Sequence, residues 1–129
     1  TPHLGEFNRV FQERVSEENR YQALQTGEFR CSILLKGAPT YVYARKSCWQ
    51  NPTGNAALAV AGTGDVLLGM IAAFVLQGLS LEDGAKWGAY VHGQIADCYV
   101  KKEAIQSFRA TDLIEALPLV LKDCIEKVR

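Results

Sequence analysis

The sequence lacks an excess of charge of either sign, since its 14 lysine and arginine residues balance 14 aspartates and glutamates. No overall electrostatic field therefore favours nucleic acid or an anionic membrane as a partner, although a small phosphate-bearing ligand is compatible with this balance. A long apolar run is also missing. The most apolar stretch, residues 66–79, is interrupted by Gly69 and Gln77 and is shorter than the about 20 residues of a membrane-spanning helix. No secretory signal is visible, so we expect a globular unit without a membrane anchor.

Closely spaced cysteines are absent as well. The four cysteines are Cys31, Cys48, Cys98 and Cys124, and their spacing does not fit a zinc site or a redox-active pair. This distribution predicts free thiols, no metal site built by the protein alone, and a reducing, cytoplasmic environment. With 48% hydrophobic residues, the chain can bury enough apolar surface to form one core.

Helical patterns occupy most of the chain outside its middle. Ser16 and Ser80 stand where helix N-caps are favoured, and Gly27 is expected to end the second helix. Pro118 either kinks the last helix or opens another one. The predicted helices are residues 6–14, 17–26, 65–77, 80–102 and a last one that begins near Thr111 as its N-cap.

Strand patterns lie between residues 31 and 50. Residues 31–37 form a short, continuous apolar run, which is typical of a strand covered on both faces, as in a parallel sheet. Residues 40–44 are rich in β-branched and aromatic side chains, and the polar residues 45–47 indicate a hairpin turn. Such a short sheet lacks partners, so we expect its missing strands upstream of Thr1 or from another chain. The opening Thr1, in place of a methionine, likewise suggests a trimmed product.

A glycine-rich turn, "AGTGD" at residues 61–65, contains a single carboxylate. Gly62 and Gly64 permit backbone conformations that side chains forbid, and a helix beginning at Asp65 directs unpaired N–H groups and its positive dipole end at the turn. An anion such as a phosphate would be held there. An ionised Asp65 beside it is suited to take a proton from a hydroxyl group that attacks the phosphate.

A simpler interpretation is that Asp65 only caps the helix or stabilises its first turn. The long approach loop of small residues favours a ligand site, because a plain cap does not need one. Its spacing is neither that of a P-loop, since no lysine follows the last glycine, nor that of a dinucleotide-binding fingerprint. The loop residues predicted to form the anion site are Asn55, Gly62 and Thr63.

Five segments in register extend this pattern over most of the chain. They are "TPHLGEF" at residues 1–7, "LKGAPT" at 35–40, "NPTGN" at 51–55, "GTGDVLLG" at 62–69 and "ATDLIEALP" at 110–118. Together they resemble the C-terminal half of the ADP- or ATP-dependent NAD(P)H-hydrate dehydratases, members of the ribokinase-like superfamily. The resemblance implies an α/β, Rossmann-like fold of three layers (α/β/α), of which residues 1–129 are the C-terminal portion.

The resemblance also implies a reaction and a set of ligands. Such enzymes repair hydrated NADH or NADPH by transferring a phosphoryl group to the 6-hydroxyl, after which elimination of phosphate restores the nicotinamide ring. Asp65 is implied as catalytic base and substrate contact, and His3 as a second substrate contact. The implied nucleotide-binding residues are Lys36, Gly37, Ala38, Pro39, Thr40 and Gly64. ADP or ATP is the implied phosphoryl donor, with Mg²⁺ bound through few protein ligands, in a homo-oligomer that is a tetramer by resemblance.

The sequence departs from the family pattern near the expected ligands. Pro39 and Ala61 stand where the family usually has glycine, and residues 56–58 stand where it has a Pro-Gly-Met run. Proline has no backbone N–H, so we expect a weaker phosphate contact at that position. The alternatives are a ribokinase-like kinase of the hydroxymethylpyrimidine or thiazole type that uses the same base, and an inactive nucleotide-binding module.

Overall fold

A 3-stranded antiparallel sheet lies at the centre of the computed structural model, which describes residues 1–45 and 47–128. Its strands are β1 (Ile33–Leu35), β2 (Tyr41–Ala44) and β3 (Ser47–Gln50), hydrogen-bonded in that order. All residues of β1 are buried, as predicted for a strand covered on both faces, and all residues of β2 are buried as well. The predicted turn at residues 45–47 contains Lys46, which lies outside the described residues, and Ala44 and Ser47 pair across it.

Helices cover both faces of the sheet, which gives the predicted three layers. The helices are α1 (Leu4–Phe11), α2 (Arg20–Thr26), α3 (Thr63–Leu76), α4 (Leu81–Tyr99) and α5 (Ala110–Val128). Because side chains alternate along a strand, Ile33 and Leu35 pack with α1 and α2, whereas Leu34 packs with α3 and α4. α5 packs on α4 and α3 away from the sheet.

The pairing of β1 differs from the parallel arrangement that its apolar run suggested. Its regular partner is β2, in antiparallel register from Ile33 opposite Tyr43 to Leu35 opposite Tyr41. Parallel pairing occurs at one bridge among the described residues, between His3 and Lys36, where the Lys36 amide donates to the Pro2 carbonyl at 2.8 Å. This bridge places the residues before α1 beside the end of β1.

The first two helices begin and end at residues other than those predicted. α1 begins before Glu6 because His3 caps it, and it ends at Phe11 because Gln12 adopts a left-handed φ of 55°. α2 begins well after Ser16, which is not its N-cap. The Asn19 side chain instead accepts a hydrogen bond of 2.8 Å from the Ser16 amide, which holds the intervening residues in a turn. Gly27 ends α2, as predicted.

The later helices follow the prediction more closely. Ser80 is the N-cap of α4, as predicted, and accepts from the Asp83 amide at 3.0 Å. Thr111 lies inside α5 rather than at its cap, because the Asp112 carboxylate already accepts from the Arg109 amide at 2.6 Å. α5 continues through Pro118 without dividing. No helix of the described residues is both long and apolar enough to cross a membrane.

Candidate active-site cleft

The glycine turn begins α3 earlier than the sequence suggested. Gly62 is the N-cap, with a left-handed φ of 88° that glycine adopts without strain, and Thr63 rather than Asp65 is the first helical residue. No side chain in the described part of the chain caps this helix. Among the described residues, the amides of Gly64 and Asp65 have no hydrogen-bond acceptor. The start of α3 therefore presents free N–H groups and the positive end of its dipole.

The Asp65 carboxylate lies beside these amides, in the first turn of α3. It is exposed and takes no part in the hydrogen bonds or ion pairs found among the described residues. It is thus a first-turn acid without the capping bond that the simpler interpretation allowed. A carboxylate without such partners is available to accept a proton from a ligand.

Lys36 brings a positive charge to the same place from a distant part of the chain. It follows β1, and its ammonium lies so close to the α3 start that a methyl group added at Gly64 would be 3.1 Å from Nζ. Its nearest acidic partner is Glu6, at a loose 3.9 Å. Lys36 and the free amides of α3 together form a positive site that could hold a phosphate group.

His3 has a structural role that the sequence pattern did not indicate. Its Nδ1 accepts hydrogen bonds from the amides of Gly5 at 3.1 Å and Glu6 at 3.3 Å, and the Glu6 carboxylate accepts from the His3 amide at 2.7 Å. This reciprocal capping box starts α1. The bond from the His3 amide is the main reason that the pKa of Glu6 is lowered, with the nearby His3 and Lys36 adding smaller effects. Nδ1 is therefore occupied by the cap, and Nε2 lies 3.4 Å from the Glu6 carboxylate.

These groups line one open cleft of about 630 Å³. The predicted site residues on its wall are His3, Lys36, Gly37, Gly62, Thr63, Gly64 and Asp65. The cleft wall also contains residues that were not among the predicted site residues: Leu4, Gly5, Glu17, Leu58, Ala59 and Val60. The structure therefore brings the proton acceptor, the cation and the free amides into one solvent-open space.

The remaining predicted site residues lie outside this wall. Ala38, Pro39 and Thr40 form the turn between β1 and β2, in which the Thr40 hydroxyl donates to the Gly37 carbonyl at 3.1 Å. Asn55 has a structural role, because its side chain accepts from the Ala57 amide at 2.9 Å and donates to Asp97 at 2.8 Å. The contacts predicted for these four residues with nucleotide or anion stay predictions.

Gly37 is required by a buried arginine that the sequence pattern did not indicate. Arg20, the first residue of α2, is 2% exposed and lies with its guanidinium carbon 5.1 Å from the centre of the Tyr41 ring. Its Nη1 has no acceptor among the described residues and occupies the space where a side chain at Gly37 would lie. Its Nε is 3.2 Å from the Glu17 carboxylate, without the alignment of a hydrogen bond. Any larger residue at 37 must displace this guanidinium.

At residues 56–58 and at Ala61, the residues that depart from the family pattern are compatible with the backbone conformation. Residues 56–58 form a single 3₁₀ turn that Asn55 caps. Ala61 is not among the described non-glycine residues with positive φ, so its backbone conformation is open to alanine. The loop therefore reaches the α3 start without the glycine usual at that position.

Metal ligands are sparse in the part of the chain that the structure describes. No group of three or more histidine, cysteine or carboxylate side chains comes together there. A Mg²⁺ ion at this cleft would thus depend mainly on oxygen ligands brought by a bound nucleotide, as is usual for this ion. The four cysteines are free thiols, and burial raises the pKa of Cys48 and of Cys124.

Comparison with known proteins gives a consistent result. The NAD(P)H-hydrate dehydratase family profile matches residues 1–119. A bifunctional NAD(P)H-hydrate repair enzyme, Nnr, of Moorella thermoacetica is 38% identical over 99% of this chain, which spans 25% of that protein.

Solved structures agree with the family match. The ADP/ATP-dependent NAD(P)H-hydrate dehydratase of Bacillus subtilis, co-crystallised with ATP and Mg²⁺, is 33% identical with a TM-score of 0.79 over 95% of this chain and 46% of that one. A ribokinase-like superfamily protein of Enterococcus faecalis is 30% identical with a TM-score of 0.70 over 95% of this chain and 43% of that one. The predicted ribokinase-like fold is confirmed, and the chain spans somewhat less than half the length of these two solved relatives.

Proposed function

Because the chain belongs to the NAD(P)H-hydrate dehydratase family, we propose that it is the C-terminal portion of an enzyme that repairs hydrated NADH or NADPH at the expense of ADP or ATP. The observation that carries the proposal is the start of α3. There an Asp65 carboxylate and two amides, all without partners among the described residues, meet the Lys36 ammonium in one cleft. This combination suits phosphoryl transfer to an alcohol.

Asp65 acts as the general base in this proposal. The 6-hydroxyl of the hydrated nicotinamide gives its proton to the carboxylate while its oxygen forms a bond to the transferred phosphorus, and the bond from phosphorus to the nucleotide oxygen breaks. The C6–O bond then breaks as phosphate leaves, and loss of a ring proton restores the double bond. His3, on the same cleft wall, would contact the substrate.

Charge stabilisation would come from the start of α3 and from Lys36. The amides of Gly64 and Asp65 and the Lys36 ammonium face the cleft where negative charge develops on the transferred group. Lys36 and Gly37 would also approach the nucleotide, together with the adjoining turn at residues 38–40. Mg²⁺ bound to the nucleotide would neutralise phosphate charge, with few ligands from the described residues.

The same proposal includes partners beyond the chain. Relatives of about twice this length suggest that another polypeptide segment, or another chain, completes the sheet and the substrate pocket. Purified residues 1–129 alone should therefore turn over little substrate. We also propose a homo-oligomer and a reducing cytosol, the latter in keeping with four free thiols.

The test compares two acids, each in the first turn of a helix. The full-length protein is incubated with hydrated NADH, Mg²⁺ and ADP or ATP, and the return of reduced-nicotinamide absorbance is followed. Asp65→Asn should lower the rate of this return at least about a hundredfold. Nucleotide binding should persist. The matched control is Asp83→Asn, since Asp83 occupies the first turn of α4 outside the cleft and is exposed. It should leave turnover unchanged.

Other outcomes identify the alternatives. A phosphorylated alcohol product without recovery of reduced nicotinamide would support a ribokinase-like kinase that uses the same base. Nucleotide binding without turnover in the unmodified full-length protein would support an inactive binding module. Equal loss of activity in both aspartate variants would contradict a specific role for Asp65.

A further inference from the structure

The loop that leads to Asp65, residues 51–62, is hydrogen-bonded to α4 at several of its first residues. The side-chain amide of Asn51 donates to the Ala89 carbonyl at 3.0 Å, and the Thr53 hydroxyl donates to the Tyr90 carbonyl at 2.8 Å. About two turns further along α4, the Asp97 carboxylate accepts from the Gly54 amide at 2.8 Å. α4 therefore serves as the support on which this loop rests.

His92 makes the contact of α4 that lies nearest the chemistry. This histidine is 6% exposed, and its Nε2 is 2.9 Å from the Thr63 carbonyl in the first turn of α3. A carbonyl can only accept, so Nε2 carries the proton and His92 is the donor. Burial lowers the pKa of His92, while the bond to the Thr63 carbonyl opposes this shift.

Thr63 connects this contact to the loop. Its hydroxyl donates to the carbonyl of Leu58 at 2.8 Å and lies 2.9 Å from that of Val60. The loop is thus bonded to the Thr63 side chain, and His92 holds the Thr63 backbone. The next two residues are Gly64 and Asp65, whose free amides and carboxylate face the cleft.

We infer that His92 is a positioning residue of the cleft, which fixes the first turn of α3 through its bond to Thr63 and so orients the Gly64 and Asp65 groups. The inference rests on the proposed function for its catalytic consequence, although the positional effect stands without it. An error of about 1 Å in such groups costs about a hundredfold in rate. A histidine that merely filled the core would have no such influence.

The test exchanges the donor while keeping the volume of the side chain similar. In the full-length protein, His92→Leu removes the hydrogen bond, whereas His92→Gln retains an N–H donor at about the same distance from Cα. Amide hydrogen exchange of the segment 60–68 should be at least about tenfold faster in His92→Leu and close to wild type in His92→Gln. The dissociation constant for ADP should rise about tenfold and kcat should fall about tenfold or more in the leucine variant alone.

A control separates positioning from stability. Val91→Ala removes a fully buried neighbour on α4 that is not part of the cleft. It should lower the Tm without changing exchange in the segment 60–68. Unchanged exchange and ADP affinity in His92→Leu, or equal damage in the leucine and glutamine variants, would overturn the inference.

Two further readouts make the outcome independent of folding and of the proposed function. If His92→Leu does not fold, the NMR signals of the His92 ring nitrogens in the unmodified protein still test the inference, because it requires a protonated Nε2 and an unprotonated Nδ1. The opposite tautomer overturns it. If the unmodified protein shows no turnover, the proposed function fails, while the exchange result for the segment 60–68 continues to test His92.

Discussion

The two walls of the cleft are held in different ways. The loop wall consists of residues 58–65. The chain just before it is hydrogen-bonded to α4 through Asn51, Thr53 and Asp97, and these bonds join residues that are 37 to 43 positions apart in the sequence. The N-terminal wall, formed by residues 3–5, 17 and 36–37, relies on local side-chain bonds such as His3 to Glu6. Across the chain it has the backbone bond of 2.8 Å from the Lys36 amide to the Pro2 carbonyl, whereas the side-chain ion pair between Lys36 and Glu6 is a loose one of 3.9 Å.

This difference separates two roles within one site. Amides that stabilise a transition state are effective when they do not have to move, and the loop wall provides such groups at the α3 start. A flexible ammonium such as Lys36 can follow a ligand as it binds, because its charge has no fixed direction. We therefore expect damage to the loop wall to affect folding and rate, and damage to the N-terminal wall to affect mainly binding.

The largest effect is expected where α4 meets the loop. A Cβ added at Gly93 would overlap the Thr53 side chain and lie 2.8 Å from the Gly54 backbone nitrogen, so Gly93→Ala should lower the free energy of unfolding by about 3 kcal/mol. Gly69→Ala is the matched control, because a Cβ there meets nothing within 4 Å and a helical alanine is favoured by up to about 1 kcal/mol. Denaturant titration of both variants measures the difference. Similar stabilities would contradict the close approach.

Two asparagines compare the segments that adjoin the two walls. Asn51→Ala should cost about 2 kcal/mol of unfolding free energy, because it removes a buried bond to the Ala89 carbonyl and a partly buried one to the Thr53 carbonyl. Asn8→Ala should cost about 1 kcal/mol, since its bonds to the Val15 backbone are only partly buried. A larger loss for Asn8→Ala in the same denaturation assay would reverse the ranking of the two walls.

A charge change in the N-terminal wall should act on ligand binding rather than on folding. Lys36→Met should raise the dissociation constant for ADP about tenfold, equivalent to about 1.4 kcal/mol, and leave the Tm nearly unchanged. Lys86→Met is the control, because Lys86 pairs with Glu82 at 2.7 Å on α4, away from the cleft. Calorimetric titration of both variants with ADP separates them. Equal affinities would remove Lys36 from the binding site.

The smallest effect is expected at the helix cap of the same wall. His3→Ala should destabilise the protein by about 1 kcal/mol through loss of the α1 N-cap, whereas His3→Asn should retain most of that stability. If His3 also contacts substrate, His3→Asn should still raise KM for the hydrated nicotinamide. Wild-type KM in a stable His3→Asn variant would leave His3 with its capping role alone.

Local signals in the sequence located much of the fold. The apolar run at residues 31–37 predicted a strand buried on both faces, and Ser80 and Gly27 marked helix ends because their effects involve only near neighbours. The start of α2 was missed because Asn19 bonds back to Ser16, a competition that helix propensity does not reveal. The His3 and Glu6 spacing did contain the signal of a capping box, although histidine is an unusual cap.

The candidate site was predicted less completely for the same reason. Asp65 and the glycines around it are adjacent in sequence, so their association with a helix start could be inferred without a structure. Arg20 and Gly37 meet through the packing of α2 on the sheet, and no pattern along the chain indicates that contact. Nor does any sequence signal place His92 against Thr63.

The sequence by itself determined the elements: where the chain turns, which strand is buried on both faces, and that a carboxylate stands among small residues at the start of a helix. Short-range sterics and hydrogen bonding suffice for these features. Only the tertiary structure decided that Lys36 reaches Gly64. The same holds for the contacts of α4 with the loop and the start of α3, which are made by His92, Gly93 and Asp97. Such contacts depend on how the helices pack on the sheet, which is a property of the whole core.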